Sequence, residues 1–273
     1  MWAAIGFCLT AAIGLGVVLA RTRRSEARLL DQPWILQEIP RLHVPIMAGL
    51  AGFSITGLVL ILTLTRGGAA SSDAFDTVVV MLLIAFLFYI GNAFLISYLP
   101  HAEQSGDLVP RIHFSLASTI EYRCVFISWF ALRPLVDVYG LDRPADVLAV
   151  LLPVSLVLGS TIVAMVSDGL GLIRFVETYF CAAVAAVLAL GYAGIVELFA
   201  LGARSSDSAL AIALVVFGLN SIGFAVAALT PLAARYPQFA RFYERQGRRL
   251  IVADMLLTML ALTFLWLAVV GAI

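Results

Sequence analysis

Long apolar stretches alternate with short polar segments along the whole chain. Eight of these stretches contain 19 residues or more, and about 20 residues suffice for a helix to cross the hydrocarbon core of a bilayer. The pattern predicts an all-α, polytopic integral membrane protein with eight transmembrane helices and short loops, in a single domain covering residues 1–273. The predicted spans are 1–20, 44–65, 77–99, 114–132, 146–167, 172–201, 208–232 and 250–272.

The composition agrees with an integral membrane protein and argues against several kinds of functional site. Hydrophobic residues make up 62% of the chain and charged residues 12%, whereas about a quarter of the residues in a soluble domain are charged. The chain has no lysine, which excludes a retinal or substrate Schiff base. The three cysteines, Cys8, Cys124 and Cys181, lie in apolar stretches without a CxxC motif, so we expect no disulfide framework, metal site or cofactor.

The arginines predict the orientation in the membrane. If the N-terminus is outside, the inside loops 21–43, 100–113, 168–174 and 233–249 carry twelve arginines and the outside loops carry four. Arginine and lysine are enriched in cytoplasmic loops. We therefore expect both termini outside and a bacterial inner membrane as the location.

Two inside segments concentrate these arginines among apolar side chains. They cover residues 21–43 and 234–249, and both are predicted to lie along the membrane surface and to bind anionic lipid headgroups. A docking surface for a cytoplasmic or membrane protein partner is the alternative, and a homo-oligomer is compatible with the pattern. Zero net charge argues against a nucleic-acid partner. The candidate contact residues are Arg21, Arg23, Arg24, Arg241, Arg245, Arg248 and Arg249.

The fourth predicted span contains two charged residues near its middle, Glu121 and Arg123. Each costs roughly 2.5–3.5 kcal/mol at the centre of a membrane helix, so groups inside the protein should meet them. The two side chains lie about 200° apart around a helix and cannot pair with each other. We expect Arg123 to form an ion pair with Glu177 or Asp254, which lie at similar depths in the sixth and eighth spans.

Further polar residues accompany this pair at similar depth. Ser128 shares a helix face with Glu121, and Asn92 and Asn220 lie in the third and seventh spans. One interpretation is an ion or proton pathway in a cavity open to the inside, and the other is a salt bridge that only fixes helix packing. We interpret the histidines His43, His101 and His113 as interfacial residues. The candidate pathway residues are Glu121, Arg123, Asn92, Glu177, Asp254, Asn220 and Ser128.

The pattern also contains a weak internal repeat. The third and seventh spans each carry an asparagine, and the fourth and eighth spans each carry an acid. This arrangement suggests a parallel repeat of four plus four helices, over about residues 1–135 and 146–273.

The function that these features favour is a membrane channel or secondary transporter for a small ion or solute. The first alternative is a non-catalytic membrane subunit that anchors or couples a larger complex. The second is an intramembrane enzyme acting on a lipid or a quinone, with Glu121 as the acid-base group. We assign no catalytic residue, because no nucleophile, metal-ligand set or carboxylate pair occurs at a recognisable spacing, and we do not expect an enzyme.

Overall fold

The computed structural model describes residues 34–65, 73–99, 108–141, 143–149, 206–234 and 236–269, with a few isolated residues between 151 and 180. The first predicted span, more than half of the fifth and nearly all of the sixth lie outside the described residues. So do four of the candidate residues, Arg21, Arg23, Arg24 and Glu177.

The described residues form helices joined by turns, with no strand among them. Four apolar stretches within these helices are long enough to cross a bilayer: Pro40–Thr63, Phe75–Ser97, Ser208–Ala233 and Pro237–Val269. The prediction of an all-α integral membrane protein is thereby confirmed. The helices are α1 Trp34–Thr65, α2 Asp73–Ser97, α3 Leu108–Phe130, α4 Leu132–Val138, α5 Ser206–Ala228 and α6 Pro237–Val269, with a 3-10 helix at Thr230–Ala234 before α6.

Helix α3 lies at the centre of the described bundle. It packs against α2, α5 and α6, and 17 of its 23 residues are buried. The helix contains three charged residues, Arg111, Glu121 and Arg123. A helix surrounded by other helices can carry such residues, because protein groups rather than lipid chains meet them.

The helices alternate in direction. Helices α3 and α6 run parallel, since Ile112 approaches Gly247 and Arg123 contacts Asp254 further along both helices. Helices α2 and α5 run parallel to each other and antiparallel to α3, and α1 runs antiparallel to α2. These relative directions agree with those predicted for the second, third, fourth, seventh and eighth spans.

Two helices begin ten residues or more before their predicted starts, and α2 and α3 begin four and six residues before theirs. Helix α1 starts at Trp34 and not near residue 44, and α6 starts at Pro237 and not near residue 250. The prediction that 233–249 is a loop with a separate surface segment is wrong for 237–249, and the same holds for 34–43 in the loop 21–43. In α6 the reason is tertiary: Tyr243 and Gly247 are buried against the bundle, so these polar turns continue the helix.

Candidate functional site

Arg123 projects from α3 into a network of hydrogen bonds with two other helices. Its Nε donates to Oδ1 of Asn220 in α5 at 2.6 Å. Its Nη1 donates to Oδ1 of Asp254 and to Oγ1 of Thr258 in α6, both at 2.7 Å. We call Arg123, Asn220, Asp254 and Thr258 the arginine cluster. It joins α3, α5 and α6 through charge-assisted bonds in a fixed geometry.

The arginine cluster is deeply buried. The Arg123 side chain is 0% exposed and that of Asp254 is 13% exposed. The Thr258 hydroxyl donates its hydrogen to the Asp254 backbone carbonyl one turn earlier, at 2.6 Å. Its oxygen therefore acts as the acceptor toward Arg123. The predicted ion pair of Arg123 with an acid of another helix is therefore confirmed, and its partner is Asp254.

Two buried atoms of this ion pair have no hydrogen-bond partner among the described residues, namely Arg123 Nη2 and Asp254 Oδ2. Nη2 lies against Gly223 in α5, where a Cβ atom would come within 3.0 Å of it. A glycine at this position lets the backbone of α5 approach the guanidinium closely, so Gly223 belongs to the packing of the cluster.

Glu121 faces away from the arginine cluster, toward α1. Its Oε2 lies 3.3 Å from Nδ1 of His43, and the two side chains are 21% and 31% exposed. The rings of His43 and Phe114 also pack in a T-shaped arrangement, with their centroids 5.9 Å apart. We call the contact between the acid and the imidazole the His43–Glu121 pair. His43 was expected to be interfacial, and its contact with Glu121 was not predicted.

The position of His43 places this pair near one end of the apolar region. The membrane-length apolar stretch of α1 begins at Pro40, only three residues before His43. Glu121 therefore lies closer to the membrane surface than the middle of its own predicted span would suggest. Both partners belong to helices that begin at the same end of the bundle, since α1 and α3 run in the same direction.

Asn220, Asn92 and Ser128 make further contacts. Asn220 also donates from Nδ2 to Sγ of Cys124 at 3.7 Å. Asn92 is buried and donates to Met47 of α1 at 3.9 Å, while its Oδ1 has no partner among the described residues. Ser128 donates to the Cys124 carbonyl at 3.0 Å. The contacts of Arg123 and of Glu121 therefore form two separate groups on opposite sides of α3.

A third polar contact involves His113, which was expected to be interfacial. Its side chain is fully buried. Its Nε2 lies 2.7 Å from the carbonyl oxygen of Leu95. Its Nδ1 lies 2.5 Å from Oγ1 of Thr230 and 3.1 Å from the carbonyl oxygen of Ala227. The ring thus contacts the C-terminal ends of α2 and α5, where carbonyl groups lack helical partners.

The sequence contained partial signals for the residues that were missed. Thr258 follows Asp254 by one helical turn and shares its face. Pro231 has no N–H to donate to the carbonyl of Ala227, so a nearby donor was to be expected there. Nothing in the sequence indicates which helix His43 faces.

Comparison with family models, with curated proteins and with solved structures finds no match for this chain. Its function is therefore argued from the geometry of its own side chains.

Proposed function

We propose that the chain is a membrane channel or secondary transporter for a small ion or solute, and that the His43–Glu121 pair is the site that exchanges a proton or binds the ion. The observation that carries this proposal is the contact at 3.3 Å between partly exposed acidic and basic side chains of two different helices. Ionisable groups inside a membrane bundle are expensive to maintain and are associated with ion and proton pathways.

The chemistry of the pair suits proton exchange. Histidine is the side chain whose charge changes most readily near neutral pH, and a carboxylate within hydrogen-bond reach can accept or return the proton. Partial exposure near one end of the apolar stretch gives water a short route to the pair. Movement of α1 relative to α3 would separate the two partners, which links protonation to a change in helix packing.

The arginine cluster has a supporting role in this proposal. Arg123 follows Glu121 by two residues in α3, so its bonds to α5 and α6 fix the rotation of that helix. That rotation directs Glu121 toward α1. The buried positive charge also contributes to the local potential and disfavours a second cation beside it.

The number of spans, the membrane and the side on which the termini lie are part of the same proposal. We infer eight spans in a bacterial inner membrane with both termini outside, because twelve arginines lie in the predicted inside loops and four in the outside loops. In this orientation the His43–Glu121 pair opens toward the inside.

The test compares Glu121→Gln with wild-type protein in proteoliposomes, with ion or proton flux measured across a pH series. Glutamine keeps the shape and removes the titration, so flux should fall by about tenfold or more, or lose its pH dependence. Asp76→Asn is the matched control, since Asp76 is an exposed acid at the start of α2. Equal flux and equal pH dependence in wild type and Glu121→Gln would contradict the proposal.

The alternative function is a non-catalytic subunit that anchors or couples a larger complex. The exposed arginines in the first turns of α6 favour it, because they form a cationic surface that a partner could contact. Absence of flux from the wild-type protein under every imposed gradient would favour this alternative.

A further inference from the structure

A groove lies along the outer face of the first turns of α6. It has a volume of about 370 Å³ and is lined by Gln238, Arg241, Phe242, Arg245 and Gln246. These positions follow the spacing of one helical face over about two turns. We call it the α6 groove.

The length of α6 places this groove at the membrane surface. The helix has 33 residues, or about 50 Å at 1.5 Å per residue, whereas the hydrocarbon core is about 30 Å thick. Its most apolar part follows Arg249 and occupies residues 250–269. The turns from Pro237 to Arg249 therefore extend beyond the core into the region of lipid headgroups.

The groove is held in place by the opposite face of the same turns. The Tyr243 hydroxyl donates to the carbonyl of Val226 in α5 at 2.7 Å. Gly247 is packed so closely on Ile112 of α3 that any Cβ atom there would overlap it. The side chains that line the groove therefore project from turns fixed on two neighbouring helices, not from a free helix end.

The charge of the groove is uncompensated within the described part of the chain. Arg241 and Arg245 are exposed, and neither forms an ion pair with a described carboxylate. Arg241 makes only a long hydrogen bond, 3.4 Å, to the carbonyl of Pro237. Two such guanidinium groups one turn apart can bind the oxygens of a single phosphate.

We propose that the α6 groove binds the headgroup of an anionic phospholipid. Arg241 and Arg245 pair with the phosphate oxygens, and Gln238 and Gln246 bond to polar atoms of the headgroup. Phe242 contacts the start of the acyl chains. A lipid fits better than an acidic peptide, because the groove lies at headgroup height beside an exposed aromatic ring and continues into a membrane helix.

The experiment measures lipid retention by native mass spectrometry of purified protein with phosphatidylglycerol or phosphatidylcholine. Wild type should retain phosphatidylglycerol preferentially. Each arginine near an anionic headgroup strengthens lipid binding by about fivefold. Arg245→Gln should therefore bind phosphatidylglycerol about fivefold more weakly than wild type, and Arg241→Gln/Arg245→Gln roughly thirtyfold more weakly. The matched control Arg41→Gln/Arg143→Gln removes the same charge from exposed residues outside the groove lining and should retain the lipid.

Three results would overturn the proposal. One is an equal loss of phosphatidylglycerol in both double variants, which would show attraction by general surface charge. Another is an equal retention of the two lipids by wild type. The third is displacement of the lipid by inorganic phosphate at the same concentration, which would show a site for free phosphate. Thermal unfolding of each variant checks that the fold is retained. Because lipid retention is measured independently of flux, this test does not depend on the proposed transport function.

Discussion

At the scale of single residues, the burial of Arg123 is explained by the number and kind of its partners. A lone guanidinium in an apolar bundle would lose its hydration without replacement. Here an acid, an amide and a hydroxyl accept from two of its three nitrogens. Such a pair is weak evidence for net stability, but it specifies one relative position of α3, α5 and α6.

The first prediction concerns removal of one partner of this ion pair. Arg123→Met leaves Asp254 buried beside apolar atoms and should lower the free energy of unfolding by about 3–5 kcal/mol. The double variant Arg123→Met/Asp254→Leu removes both charges and should lose less than the single variant. Unfolding in mixed micelles titrated with a denaturing detergent measures both. A double variant that is less stable than either single variant would contradict the prediction.

The partners of the charged residues were only partly predictable. Arg123 needed an acid at its own depth, and the sequence offered two; Asp254 forms the ion pair, and Glu177 lies outside the described residues. His43 could not be assigned to Glu121, because depth along a helix is encoded locally while lateral neighbours depend on how α1 packs against the other helices. For the same reason His113 resembled a residue at a helix edge and proved to be fully buried.

At the scale of helices, close approach depends on individual glycines of α5. Gly223 lies where a Cβ atom would be 3.0 Å from Arg123 Nη2 and 3.6 Å from Cγ1 of Ile120. Arg123 cannot easily move aside, since Nε and Nη1 are already bonded. At Gly218, five residues earlier, a Cβ atom would have no described neighbour within 4 Å.

The second prediction compares these two glycines. Gly223→Ala should lower the free energy of unfolding by about 1–3 kcal/mol, because the methyl group overpacks the arginine cluster. Gly218→Ala should leave stability unchanged or raise it by up to about 1 kcal/mol, since alanine favours the helix. Unfolding of both variants under the same conditions is the measurement, and equal effects would argue against tight packing at Gly223.

The ends of α2 and α5 are joined by His113. Pro231 supplies no N–H, so the carbonyl of Ala227 is met by the Thr230 hydroxyl at 2.7 Å and by the histidine ring. Leu95 at the end of α2 contacts the other ring nitrogen. One side chain of the central helix thereby lies against the ends of both helices.

The third prediction follows from that arrangement. His113→Leu should lower the free energy of unfolding by about 1–3 kcal/mol, because buried polar groups at the ends of α2 and α5 lose one of their hydrogen-bond partners. Ser115→Ala in the same helix is the control, since the buried Ser115 hydroxyl has no partner among the described residues. It should be neutral or stabilising. A loss of stability in Ser115→Ala as large as that in His113→Leu would indicate general sensitivity of α3 to substitution.

At the scale of the whole molecule, the orientation in the membrane can be tested directly. With residues 21–43 and 233–249 inside, Glu244→Cys should react with a membrane-impermeant thiol reagent only after the cells are opened. The background replaces Cys8, Cys124 and Cys181. A cysteine in the predicted outside loop 202–207 is the positive control. Labelling of Glu244→Cys in intact cells would reverse the predicted topology.

The sequence alone determined the class of this protein and the existence of its main helices. Apolar length is a local property, and it located the cores of α1, α2, α5 and α6, together with their alternating directions. It also identified Glu121, Arg123 and Asp254 as charges that needed partners, because the cost of a charge in lipid does not depend on the fold. The helix starts were less well predicted, because polar turns such as 237–249 become helical through contacts with other helices.

Only the tertiary structure decided how these residues are grouped. Arg123 and Glu121 lie two residues apart yet belong to different clusters, since the helix directs them to opposite sides and different neighbours meet them there. The central place of α3 explains why its charges are tolerated. Such lateral contacts join residues up to 135 positions apart in the chain, and no local pattern of apolar and polar positions contains that information.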